Sequence, residues 1–329
     1  TTTAGTVRED LYDMKYEECE MLINGYESDT DDTYKDERSI YFVYELDERK
    51  EWTNPEMWIK ANPGLGVIKN ERTLKEKVDK AIANERLVKN LICKEFNIAE
   101  TSTESWLNFE QCNNPETFDI KELKPKYGIG GADLSRSVDL TCETCLFRVP
   151  NDDHIYVMQM YFIPEDLLEK KMREDKTPYD IWIKKGYMRT CAGNQINYKD
   201  VTQWFLELQN KYDIYIYSGG YDSYSANYWI DDMNETFGND IWEKVIQGKK
   251  TLSGPMYSLG ADLEKKKINY NNNPVLKWCL TNTCIDTDKN GNIQPIKPVN
   301  SYKRIDGLAS LLNAYVQYGR VKENYDVII

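Results

Sequence analysis

The chain has 329 residues, 40% hydrophobic and 29% charged, enough for one large domain or two smaller ones. With 42 Lys and Arg against 55 Asp and Glu, its formal net charge is -13, which argues against a broad non-specific nucleic-acid surface while leaving room for a locally basic cleft. No run approaches the roughly eighteen apolar residues of a membrane span, so no membrane partner is expected.

The opening "TTTAGTVRED" reads as the end of a strand without an initiator Met, so a fragment of something larger is expected. Residues 7 to 24 carry a helical pattern, 27 to 38 an acidic linker, and "SIYFVYELD" (39 to 47) a short strand. A loop broken by Pro and Gly with two Trp anchors follows at 51 to 66, then one long or two short helices over 70 to 95. From about residue 124 the pattern changes. "KYGIGGADLS", "LTCETCLFRV" and "HIYVMQMYFI" read as a three-strand meander, the last two joined by the turn "PNDD". Helices are expected at 165 to 174 and 201 to 212, then a strand over 213 to 222 that leaves through Gly219, Gly220 and Asp222 into another helix. The block from Pro274 reads as a helix leading into a hairpin around "NGN". Ile305, Leu308, Ala309 and Leu312 then give a final amphipathic helix with Asp306 at its start.

The eight cysteines are scattered, and the one close pair, Cys142 and Cys145, lies in a strand pattern that turns the two thiols to opposite faces. Buried thiols are expected rather than zinc. "GIGGAD" completes no G-x-G-x-x-G, and Gly248-Lys249 has Glu243 where a P-loop needs glycine, so no nucleotide-binding core is read.

Chemistry concentrates in three acids. Asp133 ends the first strand of the meander, Asp222 ends a later strand, and Asp306 opens the last helix. Open α/β sheets place their sites beyond the carboxyl ends of strands. If the two strands are neighbours, Asp133 and Asp222 converge and Asp306 approaches from above. Three carboxylates in one place need protons or cations, and hard oxygen ligands suit Mg²⁺ or Mn²⁺. Two such ions about 4 Å apart can clamp a phosphodiester, a nuclease arrangement that needs no histidine. Each acid also has an ordinary reading: Asp133 as a turn residue, Asp222 as a helix cap, Asp306 as a dipole partner. Asp139 is a further candidate ligand in the turn after Asp133. Arg136, Lys249 and Lys250, with the "EKKK" run at 264 to 267, are candidate phosphate contacts or plain solvated residues. His154 is read as a strand start.

Three stretches carry a resemblance: "GADLSRSVDLT" (131 to 141), "YDSYSANYWI" (221 to 230) and the block from Asn273 to Tyr315. They resemble the large terminase subunit of tailed bacteriophages, of the HK97-like group or its prophage relatives. "TTTAGT" is similar to the end of that family's ATPase domain. The resemblance implies an α/β protein: an RNase H-like mixed sheet flanked by helices over 124 to 329, preceded by an ATPase remnant and a mainly helical linker region over 1 to 123. It implies a metal-dependent endonuclease with Asp133, Asp222 and Asp306 holding two Mg²⁺ or Mn²⁺ ions, and it places the ATPase motifs upstream of residue 1. Implied partners are double-stranded DNA and, in the full enzyme, portal, small terminase subunit and other large subunits, in the host bacterial cytoplasm with transient docking at the capsid portal. Asn271 to Asn273, and Tyr224 and Ala226, depart from the family pattern without touching the acids. A lapsed coupling module and another RNase H-like nuclease, such as a resolvase, are the rival readings.

Overall fold

The computed structural model describes residues 11–27, 35–84, 87–98, 105–135, 140–222, 227–298 and 303–329. The chain divides at Thr103/Glu104 into two units.

The first unit is mainly helical: α1 (Leu11–Glu27), α2 (Trp58–Ala61), α3 (Glu71–Ala83) and α4 (Val88–Phe96). Asn54 and Pro55 start a 3-10 turn ahead of α2, because the Asn side chain accepts from Glu56 N–H and Pro needs no donor partner there. Leu46, Trp58, Leu74, Val78, Leu91 and Phe96 form its core. The periodic stretch 70 to 95 is two helices, since the backbone turns extended at Asn84. The strand expected over 39 to 47 does not form. Its side chains alternate, with Ile40 and Phe42 exposed, but among the described residues no second strand pairs with it. It is held where Leu46 N–H donates to Phe96 O and Asn97 Nδ2 donates to Tyr44 O.

The second unit opens with α5 (Phe109–Cys112) and α6 (Ile120–Leu123). The expected meander follows as β1 (Tyr127–Asp133), β2 (Thr141–Phe147) and β3 (Ile155–Pro164). Next come α7 (Leu168–Asp175), α8 (Tyr179–Lys184), β4 (Met188–Cys191), α9 (Tyr198–Tyr212), β5 (Tyr215–Tyr221) and α10 (Asn227–Phe237). The chain closes with β6 (Trp242–Lys244), α11 (Lys249–Glu264), β7 (Ile268–Asn269), α12 (Pro274–Asn282), the hairpin β8 (Cys284–Thr287) and β9 (Ile293–Ile296), and α13 (Asp306–Ile328).

The sheet is mixed, in the order β4-β3-β2-β1-β5-β6, with β7 beside β3. The meander is antiparallel, while β5 runs parallel to β1. α13 lies on one face with α11 and α12, in a core that includes Ile129, Leu146, Met256, Leu276 and Leu308. The opposite face packs Ala132, Cys145, Phe147 and Tyr221 against Trp204, Phe205 and Trp229 of α9 and α10.

α11 forms in spite of Gly254 and Pro255 within it, because Leu252, Met256, Leu259 and Leu263 are buried along one side of the helix. α11 runs from Lys249 to Glu264, so Lys249 and Lys250 lie in its first turn, and Lys266 just past its end turns back to donate to Asn113 O at 2.6 Å. None of the eight cysteines forms a disulfide, and Cys142 and Cys145 are buried in different clusters on opposite faces.

Glu143, across from Ala132 on β2, is fully buried, and neither carboxyl oxygen meets a hydrogen-bond partner among the described residues. Burial first, and the Asp133 charge second, push its carboxyl well above the usual carboxylate range. The folded state thus holds a proton that the unfolded chain releases, so stability falls as pH rises from the unfolded value toward the folded one. Glu143→Gln is expected to remove that slope, at most ~1.4 kcal/mol per pH unit. Urea midpoints at pH 5 and pH 8 check this, and a variant whose slope equals the wild type refutes it.

Candidate functional site

β1 is central in the sheet, and its register with β5 pairs Ala132 with Tyr221. Asp133 and Asp222 are the next residues on these neighbouring parallel strands, whose backbones run about 4.8 Å apart. Gly131 and Gly220, two positions earlier, both face α13, so strand alternation turns Asp133 and Asp222 to that same face. Both acids are partly exposed.

Two glycines allow α13 to reach the sheet. A Cβ on Gly131 would meet Ser310 O and lie 2.7 Å from Ala314 Cβ, and one on Gly220 would meet Asn313 O and lie 2.9 Å from Val245 Cγ2. The helix therefore rests on strand backbone. Tyr127 with Tyr325 and Gly131 with Ser310 on β1, and Ser218 with Gln317 (2.7 Å) and Gly220 with Asn313 on β5, run α13 antiparallel to both strands, and Asn313 Nδ2 also donates to Ala132 O at 2.8 Å. From Gly131 to Asp133 is two strand residues, about 6.6 Å. From Ser310 back to Asp306 is four helical residues, about 6 Å. Asp306 is thereby carried to the level of Asp133.

Asp306 is 2% exposed. The amphipathic helix expected from sequence is in fact buried almost all round from Asp306 to Tyr318, with Ser310, Asn313 and Gln317 as a polar seam against the sheet. Cys279 is fully buried, its Sγ 3.2 Å from where a Cβ on Gly307 would lie, and burial first, then the charge of Asp306, raise its thiol far above the ordinary range. Lys297, just past the β8–β9 hairpin, places Nζ 3.7 Å from Asp306 Oδ1. A cation thus already faces the most buried of the three carboxylates, and hard carboxylate oxygens are donor chemistry for Mg²⁺ or Mn²⁺. Among the described residues, no three His, Cys, Asp or Glu side chains are drawn into a ready ligand group.

Arg136 and Asp139 lie outside the described residues, while Ser135 and Thr141, before and after them in the chain, are bonded to each other. Ser135 N–H donates to Thr141 Oγ1 at 2.9 Å and the Thr141 hydroxyl donates to Ser135 O at 3.1 Å. Lys249 is ion-paired with Asp286 of the hairpin at 2.8 Å, and Lys250 is exposed beside it at the start of α11. His154 begins β3's approach and pairs with Asp152 at 2.7 Å, away from the acids. Lys297 and the Arg304–Asp175 pair were missed in the sequence, which offers no signal for them beyond nearness to Asp306 in the chain.

The sequence profile of the terminase large subunit endonuclease domain matches residues 31–322. The chain is 24% identical to Protein YmfN of Escherichia coli (strain K12), over 95% of this chain and 69% of that protein. It is also 24% identical to the large terminase subunit of Enterobacteria phage HK97, over 84% of this chain and 54% of that protein. The crystal structure of the HK97 large terminase is similar in fold, with a TM-score of 0.56 at 23% identity, covering 84% of this chain and 57% of that one. The chain thus spans a little over half the length of the HK97 protein.

Proposed function

This chain belongs to the terminase large subunit endonuclease-domain family, and from that premise we propose that residues 124–329, within its second unit, are an RNase H-like, divalent-metal-dependent endonuclease acting on double-stranded DNA. The observation that carries the reading is the placement of Asp133 and Asp222 at adjacent parallel strand ends, on the face where α13 presents Asp306.

Asp133, Asp222 and Asp306 would hold two ions of Mg²⁺ or Mn²⁺, with Asp139 as a fourth candidate ligand. When bound, such ions activate water and stabilise the leaving 3′ oxygen of a phosphodiester. The chain's own part is to fix the oxygens. β1 and β5 set the spacing of Asp133 and Asp222, and the glycine-seated helix sets the height of Asp306. Lys297, 39% exposed at the rim, is placed to meet a phosphate oxygen as well as Asp306. Arg136 and Lys250 are the further phosphate contacts in this reading, and Lys249 joins them only by releasing Asp286.

In the longer relatives' context the reading extends to a DNA-packaging terminase acting on concatemeric DNA in the bacterial cytoplasm. Residues 1–123 would then represent the edge of an ATPase domain and a linker region, with portal, small subunit and other large subunits as partners. No helix among the described residues is long and apolar enough to cross a membrane.

The test is nicking of supercoiled plasmid by this chain with Mn²⁺, beside an EDTA control. Metal-dependent conversion to open circle is the expected result. No cleavage, together with no Mn²⁺ uptake by calorimetry, would favour a lapsed module that couples a motor to its portal.

A further inference from the structure

We infer that Asp306 is positioned by a buried polar bracket that grips the chain on both sides of it, Arg304 by Asp175 before it and Gly307 by Gln159 after it. The inference rests on the reading of Asp306 as a metal-holding carboxylate.

The upstream jaw is an ion pair with fork geometry. Arg304 Nε donates to Asp175 Oδ2 at 2.9 Å and Nη2 donates to Asp175 Oδ1 at 2.8 Å. Arg304 is 6% exposed and Asp175 3%. Asp175 ends α7, and Tyr179, the first residue of α8, donates its hydroxyl to Asp175 Oδ2 at 2.7 Å. The α7–α8 corner thus holds the guanidinium in one orientation. Asn282, the last residue of α12, donates to Arg304 O at 3.2 Å and adds a backbone tie.

The downstream jaw is the middle of β3. Gln159 Nε2 donates to Gly307 O at 2.8 Å and to Thr144 Oγ1 at 2.9 Å, while Tyr161 donates to Gln159 Oε1 at 2.6 Å. Thr144 in turn shares a hydrogen bond of 2.7 Å with Ser310, one helical turn further on. Gly307 fits because no side chain is possible there: a Cβ would meet the Tyr161 hydroxyl and lie 3.2 Å from Cys279 Sγ.

Stability alone does not call for this arrangement. A buried ion pair is frequently no better than packed apolar residues of the same volume, whereas a fork pair and a twice-donating amide each define an orientation. Both devices flank one carboxylate, at residue 304 and at residue 307, and both reach it from parts of the sheet and helices remote in sequence. Outer partners of this kind set how well a carboxylate is aimed before any ion arrives.

The test uses the full chain with Mn²⁺ as the probe. Asp175→Leu/Arg304→Met removes both charges together and avoids leaving one buried and alone. Gln159→Met removes the downstream donors, and Arg304→Lys keeps the charge without the fork. Calorimetric Mn²⁺ affinity without DNA, and the apparent Mn²⁺ constant against kcat in plasmid nicking, are read on variants that melt cooperatively. The double variant and Gln159→Met are each expected to weaken Mn²⁺ binding by about tenfold or more, with kcat at saturating Mn²⁺ changed far less and Arg304→Lys intermediate. If the double variant does not fold, Gln159→Met decides by itself. Wild-type binding matched by the folded variants overturns the bracket alone. A wild-type chain that neither takes up Mn²⁺ nor cuts DNA overturns the metal reading, and the bracket's purpose with it.

Discussion

Asp133→Asn is expected to lower metal-dependent nicking by about a thousandfold, equivalent to ~4 kcal/mol of lost transition-state stabilisation. The amide keeps the shape of the side chain and its place at the end of β1, beside Cys142 in the ladder. It loses the charge that, with Asp222 and Asp306, would hold a divalent ion, and a neutral amide oxygen is a much poorer partner for Mg²⁺ or Mn²⁺. The same change at Asp222 or Asp306 is expected to be comparably severe. Stability should move the other way. Carboxylates gathered at one site without a bound cation repel one another, so the Asn variant should melt no lower than the wild type in EDTA. A rate loss with unchanged or higher stability identifies a functional acid, whereas a turn or capping role for Asp133 would show as lost stability with cleavage intact. Lys250→Ala is the contrast, since an exposed lysine proposed to meet phosphate is expected to cost a few-fold at most, with an effect that fades with added salt.

Gly131→Ala is expected to destabilise the second unit by about 3 kcal/mol or more, at the upper end for a single added methyl group. The new Cβ would meet Ser310 O and sit 2.8 Å from Ala314 N, and helix backbone cannot rotate aside as a side chain can. α13 would have to lift from the strands, breaking the ties of Ser310 to Gly131 O and of Asn313 to Ala132 O. Asp306 would move with it. The variant should therefore lose Mn²⁺ affinity along with its melting temperature, by about 2–4 °C per kcal/mol for a unit of this size. Gly319→Ala is the control. It adds the same methyl group to an exposed position of α13, where nothing beyond its chain neighbours and the helix's own backbone lies within 4 Å of the Cβ, and alanine favours a helix over glycine by about 0.5–1 kcal/mol. If Gly131→Ala melts like the wild type, α13 does not rest on strand backbone as described.

What was legible in the sequence was local. The alternation of "GIGGAD", "LTCETCLFRV" and "HIYVMQMYFI" specified three strands and the turns between them, and all three formed as a meander. A strand ending in Gly-Gly and then Asp222 marked a strand end leading toward a helix, and Asn273-Pro274 marked the start of α12. The resemblance singled out the same three acids that the pattern had.

Four features depended on contacts between residues far apart in the chain. β5 follows β1 only after two antiparallel strands, β4 and three helices, so the sequence did not oblige Asp222 to lie beside Asp133. The parallel pairing of Ala132 with Tyr221 settled it. The glycines that failed as a nucleotide motif are the floor on which α13 lies, a role visible only once Ser310 and Asn313 stand over them. Residues 39–47 have strand alternation without a ladder among the described residues, because propensity forms no strand without a neighbour to hydrogen-bond. Arg304 and Asp175 are 129 positions apart, and no spacing rule joins them. By itself the sequence determined which way each side chain turns within its element, since backbone periodicity is a short-range property. Only the tertiary structure decided which elements are neighbours, and so brought three separate acids to one end of the sheet, because that choice is made by packing and hydrogen bonding across the whole unit.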